Sequence, residues 1–444
     1  MKNQILELLK NKDYISIKRI FDDINEVDIA ETLEELDKNK LLIVFRLLQK
    51  DKAVEVFTYL TTVKQEEIVV SATDKEIKHL VNELYFDDMI DLLEEIPANI
   101  VKRILSNVKE EERELVNQFL NYPEYSAGSL MTIEYVDLKR NITVKEALEG
   151  IRKTGIEKET IYTCYIIDAN RRLEGIVSLR ELVINNEDNK IEDIMTQDFI
   201  YVNTLDDQEE IAQKFKKYDL LAIPVVDKEN RLVGIITFDD IMDVIDEENT
   251  EDFYKMAAMT PTDDEYLNSN TLQLAKHRVI WLLFLMVSAT FTGYIIKNFE
   301  NALSSVIVLA MFIPLLMDTG GNAGAQSATL IIRGLALGTV KVKDYFKVIM
   351  KELRVSIIVG TMLGSINFVR IMIFDKVEYK IALTVSITLF LTIIIAKVVG
   401  GILPLLARKF KLDPAIMASP LITTIVDALA LVIYFSLATT ILGL

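Results

Sequence analysis

Asp413-Pro414-Ala415-Ile416-Met417-Ala418-Ser419-Pro420-Leu421-Ile422-Thr423-Thr424-Ile425-Val426-Asp427-Ala428-Leu429-Ala430-Leu431-Val432-Ile433-Tyr434-Phe435 decides the class of fold. It reads as the start of one apolar helix that runs to Leu444. Asp413 can cap the free N–H groups, and Pro414 is tolerated in a first turn. Beyond Asp413 the one charged residue is Asp427. The stretch is about 30 residues long, and roughly 20 suffice to cross a bilayer. Asp427 lies about 13 residues in, or roughly 20 Å at 1.5 Å per residue, so near mid-membrane. A carboxylate at that depth is costly unless it faces water, a partner or an ion. One partner is available in sequence, Lys397, so a buried ion pair is one reading of Asp427 and a cation ligand is the other.

Working backwards, four more apolar spans precede this one, at about 276–297, 301–332, 353–374 and 381–407. Basic residues gather before the first (Lys276, Arg278), between the second and third (Arg333, Lys341, Lys343, Lys347, Lys351, Arg354), and between the fourth and fifth (Arg408, Lys409, Lys411). The positive-inside rule then puts the N-terminus in the cytoplasm and the C-terminus outside, in a multi-pass protein of the cell membrane. The charged start Met1-Lys2-Asn3-Gln4 has no signal-peptide pattern, which agrees. Half of the 444 residues are hydrophobic, yet the net charge is −18. The charge is unevenly spread, with 33 basic and 59 acidic residues in 1–274, and 16 basic and 8 acidic in 275–444. The first part therefore reads as soluble and the second as bilayer-embedded. The acidic excess argues against a nucleic-acid partner and is compatible with cations. A single cysteine, Cys164, excludes an intrachain disulfide.

The second span carries Asp318-Thr319-Gly320-Gly321-Asn322-Ala323-Gly324-Ala325-Gln326-Ser327. Pro314 and three glycines predict a loosened helix with carbonyls free to face a cavity. Asp318, Asn322 and Gln326 offer hard oxygen ligands, suited to Mg²⁺ or Ca²⁺. Close helix packing through small residues is the competing reading, but it leaves these polar side chains unexplained.

Residues 1–125 read as an acidic all-α domain or short superhelix. Apolar residues recur at helical spacing, as in Ile29, Leu33 and Leu36, with starts at Asp28 and Thr73-Asp74. Read from composition alone, its acids, Asp87, Asp88 and Asp91 among them, form a solvated face. Residues 126–188 and 189–245 are an internal duplication. Tyr165 to Leu179 matches Pro224 to Phe238, Met131-Thr132 matches Met195-Thr196, and Gly175 and Gly234 open corresponding strands. Each copy is strand, turn, strand, helix, and the pair resembles tandem CBS domains, a regulatory α/β module that in some proteins binds adenine nucleotides. Residues 240–268 predict an acidic amphipathic connecting helix, closed off by Pro261 and Asp263-Asp264-Glu265. The domain plan is therefore 1–125, 126–188, 189–245, a connecting helix in 246–270, and a five-helix membrane domain in 271–444.

An enzyme is not expected. His79 and His277 are the only histidines, and neither HExxH nor a P-loop occurs. The whole arrangement resembles the MgtE family of magnesium channels. The resemblance rests most on the run from Asp318 to Ala336 and on Asp413-Pro414-Ala415 through Ser419-Pro420-Leu421 to Asp427. It implies a homodimer with one axial pore, in which Asp427 of each subunit holds hydrated Mg²⁺, with Asp318 and Asn322 also at the pore. It implies closure by cytosolic Mg²⁺ bound to Glu55, Asp87 and Asp91, to Asp207, Glu209, Asp219, Asp240 and Asp243, and to Glu248, Glu251 and Asp252 of the connecting ("plug") helix, with Asp413 at the membrane face. Transport of Co²⁺ or Mn²⁺, or a CBS-bearing membrane sensor that transports nothing, are the alternatives. Lys397 departs from what a cation channel needs, and is expected to pack away from the pore or to snorkel.

Overall fold

Short helices come first, and four of them are capped by a side chain at the N-terminus. The computed structural model describes residues 2–262, 266 and 269–443. It places ten helices of eight to ten residues between Lys2 and Phe119. Asp13, Asn25 and Asp37 accept the N–H groups of Ser16, Val27 and Lys40, and Thr73 forms a reciprocal capping box with Glu76. The helix expected to start at Asp28 starts instead at Glu26, behind the Asn25 cap. Helices this short are marginal alone, so their packing holds them. From the third to the seventh, each packs against the helix two places further along. Their inner faces bury Ile29, Leu33, Phe57, Ile90 and Ile104.

The duplicated region forms two three-stranded sheets, β1 (Val136–Leu138), β2 (Thr163–Ile167) and β3 (Leu173–Ser178), then β4 (Val202–Asn203), β5 (Ala222–Val226) and β6 (Leu232–Thr237). In each, the first pair is parallel and the second antiparallel. The repeated motifs meet crosswise. Thr132 and Ile235 exchange N–H···O bonds of 2.8 and 2.9 Å, and Ile176 and Thr196 do the same at 3.0 and 2.8 Å. A Cβ on Gly234 would lie 2.7 Å from the Met131 sulfur, and one on Gly175 would lie 3.1 Å from that of Met195. Each glycine thus admits the Met-Thr pair of the other copy, which is why both recur together.

The chain divides into two compact units, Met1–Ile245 and Asp246–Leu444. The connecting helix, Phe238–Met256, begins in the first and ends in the second. It stops earlier than expected, at Met256, with Ala258 in the left-handed region. The acid run Asp263-Asp264-Glu265 lies outside the described residues.

Five helical segments in the second unit are long and apolar enough to span a membrane: Thr271–Asn298, Ile307–Ala336, Val342–Asp375, Tyr379–Lys409 and Pro414–Leu442. Spans two, four and five pack together and share one core of Leu316, Ile393, Ile422, Val426 and Tyr434. Two expectations need correction. Span two is not loosened at its glycines: Ile313–Ala336 is one continuous helix with Pro314 in its first turn, and the irregular part precedes it as a 3-10 turn, Ile307–Phe312. Proline there removes no helical hydrogen bond. Span five is not one helix from Asp413: Asp413 caps a 3-10 turn, Pro414–Met417, Ala418 is extended, and the helix proper is Ser419–Leu442. A second proline, Pro420, starts that helix afresh.

Candidate cation sites

In the first unit, carboxylates from three separate segments converge. Asp87 opens the helix Phe86–Glu95, while Glu134 and Glu159 lie outside strands, before β1 and β2. One oxygen from each lies within 4.8 Å of the other two, comparable to the oxygen–oxygen span across a Mg²⁺ or Ca²⁺ shell, about 4–5 Å. Backbone bonds fix this approach: the Phe86 N–H donates to Glu134 Oε2 at 3.4 Å, and the Glu159 N–H donates to the Glu134 carbonyl at 2.8 Å. Asp240 sits at the start of the connecting helix, accepting from the Thr237 N–H and hydroxyl at 3.2 and 2.5 Å.

The electrostatics are those of crowded, desolvated carboxylates. Burial, then Asp240 and Asp88, hold Asp87 well above the ordinary carboxylate range. Burial, then Asp240, Glu134 and Asp239, push Asp88 to about 7. Burial, then Asp239, Asp240 and Asp88, push Glu159 to about 8. Glu134 is also raised by burial, with the Phe86 N–H bond and then Lys158 partly offsetting it. Asp91 keeps an exposed edge, yet the loss of solvent around it and the charges of Asp240 and Asp88 raise it too. The solvated face read from composition is therefore wrong at its centre: Asp87 is 7% exposed.

Of the residues the family resemblance implicated, Asp87, Asp91 and Asp240 come together. Asp243 acts on Asp240 from within its own helix, and Glu55, exposed, is felt at the Tyr85 phenol along with Glu159, Glu134 and Asp87. Asp207 and Glu209 stand at the opposite end of the helix Gln208–Tyr218 from Asp219, roughly 16 Å apart at 1.5 Å per residue. These three do not share one site within the chain. Asp207 caps that helix through the Glu209 N–H, and Asp219 ends it in the left-handed conformation. Glu248 and Asp252 lie on the part of the connecting helix that belongs to the second unit. There, Glu251 and Asp413 share a lysine: Lys255 pairs with both, at 2.5 Å from Asp413 Oδ2. Desolvation opposes the Lys255 charge, but these two carboxylates outweigh it and its ammonium is held above the usual range. Sequence reasoning missed Glu134, Glu159 and Asp239. None lies in a motif, and folding alone brings Glu134 and Glu159 to Asp87 and the charge of Asp239 to Asp88 and Glu159.

In the membrane unit, Gly320, Gly321 and Gly324 turn toward spans four and five. A Cβ on Gly324 would lie 2.7 Å from Ile422 Cγ2, and one on Gly400 only 2.2 Å from the Gly324 carbonyl oxygen. Small residues here pack, as one of the two readings had it. The polar residues lie on a different face: Asp318, Asn322 and Gln326, at i, i+4 and i+8, form an exposed stripe. Asp427 on span five is half-buried, with Asp318 within electrostatic reach. Lys397 neither packs away from these groups nor snorkels. It is 5% exposed, and its Nζ donates to Gln326 Oε1 at 3.5 Å. Among the described residues it forms no ion pair with Asp427.

Comparison with known proteins agrees with this arrangement. Residues 313–437 match a family described as a divalent cation transporter, 24–125 match the MgtE intracellular N domain, and 127–185 and 191–247 match CBS domains. The chain is 36% identical to the magnesium transporter MgtE of Thermus thermophilus over 97% of its own length and 96% of that protein's. It is 33% identical to the magnesium transporter MgtE of Bacillus subtilis over 98% and 96%. Among solved structures, it resembles the cytosolic domain of the Mg²⁺ channel MgtE in complex with ATP, with a TM-score of 0.53, 34% identity, and coverage of 55% of this chain and all of that one. It also resembles the soluble part of a magnesium transporter, with a TM-score of 0.52, 30% identity, and coverage of 56% and 97%. Five membrane-spanning helices, tandem CBS domains and near full-length identity place the chain in the MgtE family of magnesium transporters, as a multi-pass membrane protein.

Proposed function

We propose that this chain is a channel that imports Mg²⁺ down its electrochemical gradient and is closed by cytosolic Mg²⁺. The observation that carries the transport reading is that Asp427 on span five lies within electrostatic reach of Asp318, the first residue of the exposed stripe Asp318, Asn322 and Gln326. Carboxylates at membrane depth need water or an ion, and the stripe is left open by a single chain. A homodimer would close the stripe around an axial pore, with the N-terminus in the cytoplasm and the C-terminus outside. Mg²⁺ gives up its waters reluctantly, so facing carboxylates would hold it hydrated. The competing reading, a structural Asp427–Lys397 pair in a sensor that transports nothing, is disfavoured because Lys397 instead meets Gln326. Mg²⁺ flux into proteoliposomes tests the proposal. Asp427→Ala should abolish uptake while the protein still assembles, and undiminished uptake would refute the pore.

Closure would work through the cluster of Asp87, Asp88, Asp91, Glu134, Glu159 and Asp240. A bound cation would hold these carboxylates together, and its loss would leave them to repel. Glu55, Asp207, Glu209, Asp219, Asp243, Glu248, Glu251, Asp252 and Asp413 would contribute further cation contacts, within the chain or across a dimer. Mg²⁺ must bind the closed state better than the open one to act this way. Limited proteolysis between 240 and 270 should slow as Mg²⁺ is raised, and a Mg²⁺-independent cleavage rate would reject the gating scheme alone. An adenine nucleotide at the CBS pair is a further ligand, supported by the ATP complex of the similar cytosolic domain. Calorimetric titration of the purified protein with ATP tests it, and no binding heat up to millimolar ATP would remove it.

A further inference from the structure

Lys397 stands deep in span four, within the helix Tyr379–Lys409, roughly 18 Å from its nearer end at 1.5 Å per residue. An ammonium has three donors, and the bond found for this one is a long contact with Gln326 Oε1 at 3.5 Å. The contact exists because Gly324 and Gly400 let spans two and four touch. Lys397 is almost one turn from Gly400, and Gln326 is two residues from Gly324. A buried carboxylate lies in the same region: Glu352, 8% exposed, accepts from Ser327 Oγ at 2.6 Å, and its Cγ would be 3.1 Å from a Cβ on Gly401. Among the described residues the two form no ion pair, so the ammonium is not spent on Glu352. It is anchored instead to the side chain that ends the polar stripe.

We propose that Lys397 is a specificity-determining residue: a fixed positive charge at the Gln326 end of the Asp318–Asn322–Gln326 stripe, about 12 Å along the helix from Asp318, that weakens the hold of this region on a divalent cation. The proposal rests on the reading of Asp318 and Asp427 as cation-holding groups. A permeation site must bind strongly enough to admit an ion and weakly enough to release it. Two carboxylates on neighbouring helices bind a doubly charged ion strongly in a low-dielectric setting. A lysine charge nearby opposes that attraction, and does so twice as strongly for a divalent as for a monovalent cation. It therefore favours release, at some loss of affinity.

The test is Mg²⁺ flux by the full chain in proteoliposomes across a concentration series. Lys397→Gln should lower the half-saturating Mg²⁺ concentration about tenfold, for the loss of one nearby charge, and should lower the maximal rate. Lys397→Arg, which keeps the charge, should stay near the unsubstituted protein. A merely structural lysine would change the yield of folded protein without moving half-saturation. An unchanged half-saturation in Lys397→Gln overturns the proposal. Should that variant fail to fold, Gln326→Glu sets a carboxylate against the ammonium and screens it in place. It should shift half-saturation the same way, and no shift overturns the proposal equally. Asp427→Asn, run alongside, separates the two levels. If it conducts normally the pore reading fails. If it is dead while the Lys397 and Gln326 variants keep the original half-saturation, the lysine proposal alone fails.

Discussion

Glu159→Gln should stabilise the cation-free protein and remove part of its response to Mg²⁺. In the folded chain the Glu159 carboxyl is pushed to about 8, first by burial and then by Asp239, Asp240, Asp88 and Glu134. Its ordinary value is 4.5. The folded state therefore binds the proton more tightly than the unfolded state between these values. Stability falls as pH rises through that window, and the penalty is complete above about 8. At pH 7.5, three units above 4.5, the unscreened cost is about 4 kcal/mol at 1.36 kcal/mol per unit. Glu159 is only partly buried, so solvent screening reduces this to about 1–2 kcal/mol. A unit the size of Met1–Ile245 gains about 2–4 °C in melting temperature per kcal/mol. Thermal melts in detergent with EDTA at pH 7.5 should thus place Glu159→Gln about 2–8 °C above the unsubstituted protein. The gap should close below about pH 4, where Glu159 is protonated in both the folded and the unfolded state. With saturating Mg²⁺ the order should narrow or reverse, because a cation stabilises the state it binds and the glutamine is a poorer ligand. Destabilisation by Glu159→Gln in EDTA at pH 7.5, or equal Mg²⁺ stabilisation of both proteins, would refute the reasoning.

Two further substitutions probe the membrane unit. Gly400→Ala would place a Cβ 2.2 Å from the Gly324 carbonyl oxygen, and overpacking of this kind costs about 1–3 kcal/mol, so the variant should melt lower in detergent. An unchanged melting temperature would show that spans two and four are not locked there. Lys255→Met would remove the cation shared by Glu251 and Asp413. Partly exposed ion pairs contribute about 1 kcal/mol or less, so a small loss of stability, diminished in 1 M salt, is expected; a salt-independent loss would assign the lysine to packing instead.

Five long apolar runs have few stable alternatives, because an unpaired backbone in lipid is costly, and their number and order follow from hydropathy. The CBS pair was legible because a duplication repeats its contact residues, Met131-Thr132 with Gly234 and Met195-Thr196 with Gly175. Asp318, Asn322 and Gln326 were legible as candidate oxygen ligands, but the single stripe they form exists because the helix runs unbroken through the glycines. Tertiary structure decided the rest. Pro314 and the glycines pointed to a broken helix, yet the proline falls in a first turn and the glycines serve close packing, a choice that depends on what lies opposite. Lys397 as a partner of Asp427 was a plausible pairing along the chain, but the Gly324–Gly400 contact brings Gln326 to it instead. The acid cluster was least legible. Asp87 alone looks like one more acid on an amphipathic helix, and Glu134 and Glu159 carry no pattern. Their shifted protonation exists because burial removes water from several carboxylates at once, and burial is a property of the folded surround, not of any one residue's place in the chain.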